Sequence, residues 1–296
     1  MTHTPCTLSS LYAQIKKRLL PLGLSQAELE AECRLVLEDI TAIHTSLRLI
    51  APETPISTEH QVKINDIVEK RLQERVPLQY LLGQADFYGL KLAVTADVLI
   101  PRPETELLVG YALEHAQTLL ETGTSNTPLK ILDLGTGSGA IAIALAQKLA
   151  HQAIVTATDI SPKALAIAQK NAHRYGVSIA FREGDWFSAL PKGECFDLIV
   201  SNPPYIGEAE KRDMQPEVLV HEPHQALFAP DNDRERFYRK TAQQGKEWLG
   251  ANGAIFLELG FGLESSVRDL FAKEDFSRIE VYPDFSGISR VFFAAR

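Results

Sequence analysis

The chain has 296 residues, room for one large or two ordinary domains, and its 45% hydrophobic and 23% charged content is that of a globular protein. Its formal net charge of −8 leaves no overall basic footprint of the kind nucleic-acid binders carry. The three cysteines, Cys6, Cys33 and Cys195, are widely spaced and suit neither a disulfide framework nor a zinc site, so they read as reduced thiols. No signal-peptide pattern opens the chain, and the longest apolar run, 140–146, is far too short to span a bilayer. The expectation is a cytoplasmic protein with no membrane segment.

The first part of the chain has a helical period. Leu8, Leu11, Tyr12, Ile15 and Leu19 share a face, with Lys16, Lys17 and Arg18 on the polar side, and Pro21 closes the segment. Ser25 and Glu28 have the spacing of a capping box, followed by an apolar stripe of Leu29, Cys33, Val36, Leu37 and Ile40. Pro52 and Pro55 mark a loop, and Ser57 can cap a further helix carrying Val62, Ile67, Val68 and Leu72. These helices predict a small bundle of roughly eighty residues. From Phe87 the period shortens. Residues 87–92 and 94–99 read as two short strands, a candidate hairpin linker ended by Pro101 and Pro103.

From Leu129 strands and helices alternate. Strands are predicted at 130–134, 153–158, 179–182, 196–200, 254–259 and 289–294, with helices over 140–149 and 162–175, the latter capped by Ser161 with Pro162 at its first position. The alternation predicts an α/β fold with a mostly parallel sheet covered on both faces.

The first of these strands runs into Gly135-Thr136-Gly137-Ser138-Gly139 and then a helix. Glycines let the backbone turn sharply and approach a ligand, and the helix start beyond offers free N–H groups. Asp159 ends the next strand, where a carboxylate can accept hydrogen bonds from both hydroxyls of a ribose. The loop alone suits a nicotinamide dinucleotide and S-adenosylmethionine about equally. Asp133, inside the strand, is costly to bury unpaired. It points to a cofactor with a cationic centre, or to a carboxylate that caps the loop's own N–H groups. Asp185 and Trp186 follow the third strand. Together they could hydrogen-bond and stack on an adenine ring, although Trp186 could equally be core.

The fourth strand ends in Ser201-Asn202-Pro203-Pro204-Tyr205-Ile206. Two prolines cannot continue a buried strand, and the carboxyl end of such a sheet is where α/β proteins bind ligands. This arrangement suits an NH₂ group on a planar, conjugated acceptor, whose nitrogen lone pair is delocalised. The Asn202 oxygen can accept one N–H and the Pro203 carbonyl the other. Both bonds strengthen as positive charge develops on the attacking nitrogen. The prolines, Pro204 included, keep that carbonyl in a fixed direction, and the Tyr205 ring can stack on the acceptor plane. A dehydrogenase would leave this segment unexplained. The His221-Glu222-Pro223-His224 segment lacks a third ligand and a helix to align its histidines, so no metal is expected.

At this point the sequence resembles a known family. LDLGTGSGAIAIALA, TDIS and VSNPPYI are similar to the Rossmann-like amino-methyltransferases that use S-adenosylmethionine. Among them the chain resembles the release factor glutamine methyltransferases through VPLQYLLG (76–83), DFYGL (86–90), LIPRPETELLV (99–109), GDWFSAL (184–190), HEPHQALFA (221–229) and, loosely, DFSGISRVFF (284–293). The resemblance implies a seven-stranded Rossmann-like sheet, a helical substrate-recognition domain over 1–83, a hairpin linker over 84–103 and a catalytic domain over 104–296. It implies methyl transfer from S-adenosylmethionine to the side-chain amide nitrogen of the glutamine in the Gly-Gly-Gln motif of peptide chain release factors, with S-adenosylhomocysteine as product. By the same resemblance, Asp133, Gly135, Thr136, Gly137, Ser138, Gly139, Asp159, Asp185, Trp186 and Asn202 would surround the donor. Asn202, Pro203 and Tyr205 would be the catalytic group, and Pro204, Phe87, Arg102 and Glu104 would join them around the substrate.

Two departures stand out. Residues 230–233, Pro-Asp-Asn-Asp, lack the glycine-rich turn expected there, and 258–262 lack a glutamine expected after the strand. Enzymes that methylate a ribosomal-protein glutamine or a nucleic-acid adenine share the acceptor chemistry. The net acidity weighs against the adenine substrate, and no stable nucleic-acid partner is expected.

Overall fold

The structure, a computed structural model, describes residues 6–122 and 128–296. It divides into two compact units, Met1–Gly83 with Gln215–His221, and Gln84–Met214 with Glu222–Arg296. Residues 1–5, the start of the predicted helical region, lie outside the described residues.

The first unit is helical: α1 (Leu8–Leu19), α2 (Gln26–Thr41), α3 (Leu47–Ile50), α4 (Thr58–Gln73) and α5 (Leu78–Leu82). Ser25 and Glu28 form the capping box at the start of α2, and Ser57 caps α4. The stripes of α1 and α2 meet Ile64, Ile67 and Val68 in one core. Val62, read from the sequence as part of that stripe, is 62% exposed. At 100° per residue, Ile64, Ile67, Val68 and Arg71 share a face from which Val62 is turned away. Arg71 ends that face, buried, and donates to Glu32 at 2.8 Å and to Glu217 at 2.9 Å, while Arg75 also donates to Glu217 at 2.9 Å. Two cations and two carboxylates cancel, which makes the burial tolerable. Glu217 brings Gln215–His221 into this unit, a long-range placement invisible to periodicity.

The second unit opens on an antiparallel hairpin, β1 (Gln84–Phe87) and β2 (Leu90–Ala93). The sequence placed its strands later, at 87–92 and 94–99. The turn falls on Tyr88 and Gly89, both with positive φ (49° and 78°), the primed geometry that matches strand twist. Val94 to Leu99 leaves the pairing, and the Thr95 hydroxyl accepts the Asp97 N–H as the chain turns away. Then follow α6 (Thr105–Glu121), β3 (Leu129–Leu134), α7 (Ala140–Leu149), β4 (Ala153–Asp159), α8 (Pro162–Arg174), β5 (Ile179–Glu183) and β6 (Phe196–Ser201). Past the turn α9 (Pro216–His221), which groups with the first unit, come α10 (His224–Leu227), α11 (Arg236–Trp248), β7 (Leu249–Glu258), α12 (Glu264–Lys273), β8 (Arg278–Pro283) and β9 (Ser289–Ala295).

Seven strands form one sheet in the order β5-β4-β3-β6-β7-β9-β8, with β9 antiparallel to both its neighbours. Strand β8, absent from the strands read off the sequence, is an edge strand in which Ile279 and Val281 alternate with Arg278 and Glu280. Alternate side chains feed two cores. Ile131, Leu198, Val200, Phe256 and Phe293 pack on one face, and Leu132, Leu134, Ile199, Leu257 and Phe292 on the other. Among the described residues, no helix is long and apolar enough to cross a membrane.

The register sets up the site. Leu134 pairs with Thr158 on one side and Ser201 on the other, and Ser201 pairs with Leu257. The next residue of each strand, Asp159, Gly135, Asn202 and Glu258, therefore stands on one row across the carboxyl edge of the sheet.

On α6, half-buried His115 lies edge-on to the rings of Phe256 and Phe293, at 5.6 and 5.4 Å between centroids. Its Nε2 is buried with no hydrogen-bond partner among the described residues, and burial, followed by the charge of Arg278, holds its pKa below the ordinary histidine value. The unfolded chain then binds a proton at His115 before the native state does, so stability from this site is present above the unfolded pKa of about 6.5 and is lost as pH falls below it. A His115→Leu variant should lose less melting temperature than the parent between pH 7.5 and 5.5, read by thermal denaturation at both pH values. An equal drop in both proteins would remove His115 as the cause.

Candidate active site

The glycine loop is tied down from two sides. The N–H groups of Gly135 and Thr136 both donate to the Thr158 carbonyl at 2.9 Å, and the Gly137 N–H donates to Asp159 at 2.8 Å. Gly139 (φ 84°) cannot carry a side chain, since a Cβ there would lie 2.8 Å from Ile143 and 3.1 Å from the Ala168 methyl. This is how α7 and α8 close behind the loop.

Asp133 is fully buried. One oxygen accepts from the Thr136 hydroxyl at 2.6 Å and the Ala142 N–H at 3.2 Å, so it caps the loop and the first turn of α7. The other oxygen is buried with no partner among the described residues, and burial pushes the carboxyl up to about 7 against the pull of those two bonds. Thr136 thus spends its hydroxyl inside the loop. The Ser138 carbonyl accepts from Asn171 at 2.9 Å.

A cavity of about 290 Å³ opens at the carboxyl edge of the sheet, walled by Gly135, Gly137, Asp159, Asp185, Trp186, Asn202 and Pro204 among others. The Asp159 carboxylate accepts from Gly137 and Ser161 through different oxygens and keeps acceptor capacity for a hydroxyl. Burial raises its pKa. Trp186 has positive φ (60°) and gives its indole N–H to Thr241 at 2.9 Å. The ring, 4.7 Å from that of Phe237, is therefore both core and cavity wall, with no N–H left for a ligand. Asp185 pairs with Lys240 at 2.7 Å.

A second wall comes from residues 222–230. Ile206 pairs with this segment on both sides, donating to the Leu227 carbonyl and accepting from Ala229. Buried Glu222 anchors it, accepting from the Ile100 N–H at 3.3 Å and from Arg102 at 2.6 Å. The expected glycine turn is replaced rather than missing: Asp231 and Asn232 take positive φ (56° and 59°), which their short polar side chains tolerate.

The acceptor segment hangs on a hydrogen-bonded chain. The Asn202 Nδ2 donates to the Thr105 hydroxyl at 3.1 Å, and Thr105 donates to Glu258 Oε2 at 2.5 Å. The Tyr205 hydroxyl donates to the other oxygen, Glu258 Oε1, at 3.0 Å. Glu258 is buried, and burial raises its pKa against the two hydroxyl donors. Tyr205 packs against Gly260, where a Cβ would lie 2.8 Å from the ring. Arg234 donates to the backbone carbonyls of Tyr205 (3.1 Å) and Phe261 (2.9 Å).

Of the other predicted residues, Phe87 is 1% exposed and belongs to the core that also holds Leu108 and Val109, and it does not line the cavity. Arg102 spends its guanidinium on Glu222, and Glu104 sits half-buried just before α6. Sequence reasoning missed Glu258, Glu222, Arg234 and Asn171. The signal for Glu258 was present: it is an acid in an apolar strand, as Asp133 is, and the same cost of burial applies.

A five-strand parallel array with antiparallel β9 beside it, a glycine turn after the first strand and an acid ending the second define a Rossmann-like methyltransferase. The comparisons agree. Residues 114–230 match the "Methyltransferase small domain" model and residues 10–83 the "PrmC N-terminal domain" model. The chain is 37% identical to the release factor glutamine methyltransferase of Flavobacterium psychrophilum over 90% of this chain and 91% of that one. It is 36% identical to that of Agrobacterium fabrum over 96% of each. The crystal structure of the hMettl16 catalytic domain with MAT2A 3′UTR hairpin 1 superposes with a TM-score of 0.52, over 82% of this chain and 84% of that one. At 14% identity that likeness concerns the fold alone. The chain belongs to the release factor glutamine methyltransferase family.

Asn171, fully buried on α8, links the hairpin to the glycine loop. It donates to the carbonyls of Ala93 (3.0 Å) and Ser138 (2.9 Å) and accepts from the Ala93 N–H at 2.7 Å. Asn171→Ala should cost about 1–3 kcal/mol, because one buried and two part-buried backbone groups lose partners. Urea denaturation reads the loss, and a midpoint unchanged from the parent would show that water replaces the amide.

Proposed function

We propose that the protein transfers a methyl group from S-adenosylmethionine to the side-chain amide nitrogen of the glutamine in the Gly-Gly-Gln motif of peptide chain release factors, in the cytoplasm, leaving S-adenosylhomocysteine. The observation that carries this is the orientation of Asn202. Its Nδ2 donates to Thr105, which leaves its oxygen to accept an N–H, and Pro203, the next residue in the chain, offers a second carbonyl. Family membership then supports a glutamine amide as the NH₂ acceptor.

The cavity fits the donor. Gly135 and Gly137 bring bare backbone to its wall, Asp159 keeps acceptor capacity for ribose hydroxyls, and Trp186 supplies a flat apolar face. The orphaned Asp133 oxygen is an unused polar atom behind the loop. When bound, the donor supplies an electrophilic methyl carbon and a neutral thioether leaving group.

The protein's own part is to hold and aim. Asn202 Oδ1 and the Pro203 carbonyl take the two amide protons and polarise the nitrogen as it gains positive charge. The two prolines prevent that carbonyl from turning, and the Tyr205 ring, backed by Gly260, covers the acceptor plane. No strong base is required, because the methylated nitrogen is acidic until it loses its proton to water. The helical unit is proposed to grip the protein substrate, as the match of residues 10–83 to a family-specific domain supports.

The purified protein with S-adenosylmethionine should add one methyl to the Gly-Gly-Gln glutamine of a release factor, seen by mass spectrometry of that peptide. Transfer to a ribosomal protein or to nucleic acid, with none to a release factor, would overturn the assignment. Asn202→Ala should lower kcat by about 10²–10³ while leaving donor affinity nearly unchanged, since only the transition state uses the lost bond fully. Undiminished turnover would refute the amide-holding role.

A further inference from the structure

We propose that Thr105 and Glu258 are positioning residues that decide which end of the Asn202 amide faces the acceptor. The inference rests on the glutamine reading of the site and adds to it the reason the clamp has one polarity.

The oxygen and nitrogen of an asparagine amide are nearly the same size, so packing alone does not choose between two orientations. The wrong one would present N–H groups to a substrate NH₂, donor against donor. Thr105 prevents this. Its hydroxyl proton goes to Glu258 Oε2 at 2.5 Å, so its oxygen can serve Asn202 only as an acceptor. Asn202 must therefore offer Nδ2, at 3.1 Å, and turn Oδ1 the other way.

The polarity originates at Glu258, whose two oxygens each take a hydroxyl proton, Oε2 from Thr105 and Oε1 from Tyr205. The two arms of the clamp, the Asn202 amide and the Tyr205 ring, are thus held by one buried side chain. Glu258 stands next to Asn202 on the register row, so the distance between the arms is set by neighbouring strands. A glutamine at 258 would carry one acceptor and one donor. It could not accept both hydroxyls through separate oxygens, and one arm would reverse or detach.

Three variants test this: Thr105→Val, which keeps the shape without the hydroxyl, Thr105→Ser, which restores it, and Glu258→Gln. Two readouts are needed, the side-chain amide protons of Asn202 in ¹⁵N-labelled protein, and kcat, KM and S-adenosylhomocysteine affinity measured separately. Thr105→Val and Glu258→Gln should each lower kcat about 100-fold with donor affinity within about twofold, and Thr105→Ser should stay within about threefold of the parent. The Asn202 amide protons should exchange slowly in the parent and in Thr105→Ser, and fast in Thr105→Val. Parent-like protection and turnover in Thr105→Val, or a loss that Thr105→Ser fails to recover, would overturn the proposal. If Thr105→Val does not fold, Glu258→Gln is read by the same criteria. A parent protein that methylates no release factor would overturn the substrate assignment, and the amide-proton measurement would still decide the positioning.

Discussion

Parallel pairing places Asp159, Gly135, Asn202 and Glu258 on one row at the carboxyl edge of four adjacent strands. Three of the four are polar, and they sit at the ends of strands buried on both faces. Each must find a partner there or be expensive. Asp159 is satisfied by the backbone of the glycine turn and the start of α8, Asn202 by Thr105, and Glu258 by two hydroxyls. These demands bring the loops onto the edge of the sheet and shape the cavity between them.

Residues 100–106 are the hub of that arrangement. Ile100 and Arg102 bind Glu222 and hold one cavity wall. Thr105 reaches Glu258 and Asn202, and Glu106 accepts the Tyr88 N–H at the hairpin turn. Seven consecutive residues thus connect the hairpin, the acceptor segment and the wall formed by residues 222–230. Repeated Pro and charged residues in a loop read as surface from composition, yet here the side chains are spent inward.

Legibility followed distance along the chain. The capping box of α2, the glycine turn and the first-position proline of α8 are local devices, and all three form as read. The hairpin was displaced because its primed turn uses a tyrosine, Tyr88, in the left-handed region that sequence reading reserves for Gly and Asn. The turn at 230–233 survives without glycine because Asp231 and Asn232 accept the same conformation. Trp186 was open between stacking wall and core, and it is both, since its N–H is bound to Thr241 while its ring lines the cavity.

By itself the sequence determined the class of fold, the donor loop and the acceptor segment, because each rests on residues within a few positions of one another whose spacing is its own signal. It also contained the family, through segments spread over nearly the whole chain. Tertiary structure alone decided which groups those segments lean on. Glu258 lies 153 positions from the threonine it binds, Asn202 lies 97 positions from the same threonine, and Asn171 lies 78 from the hairpin carbonyl it holds. Strand register sets Asn202 beside Glu258, and the packing of α6 and α8 brings Thr105 and Asn171 to their partners; neither is written in local spacing.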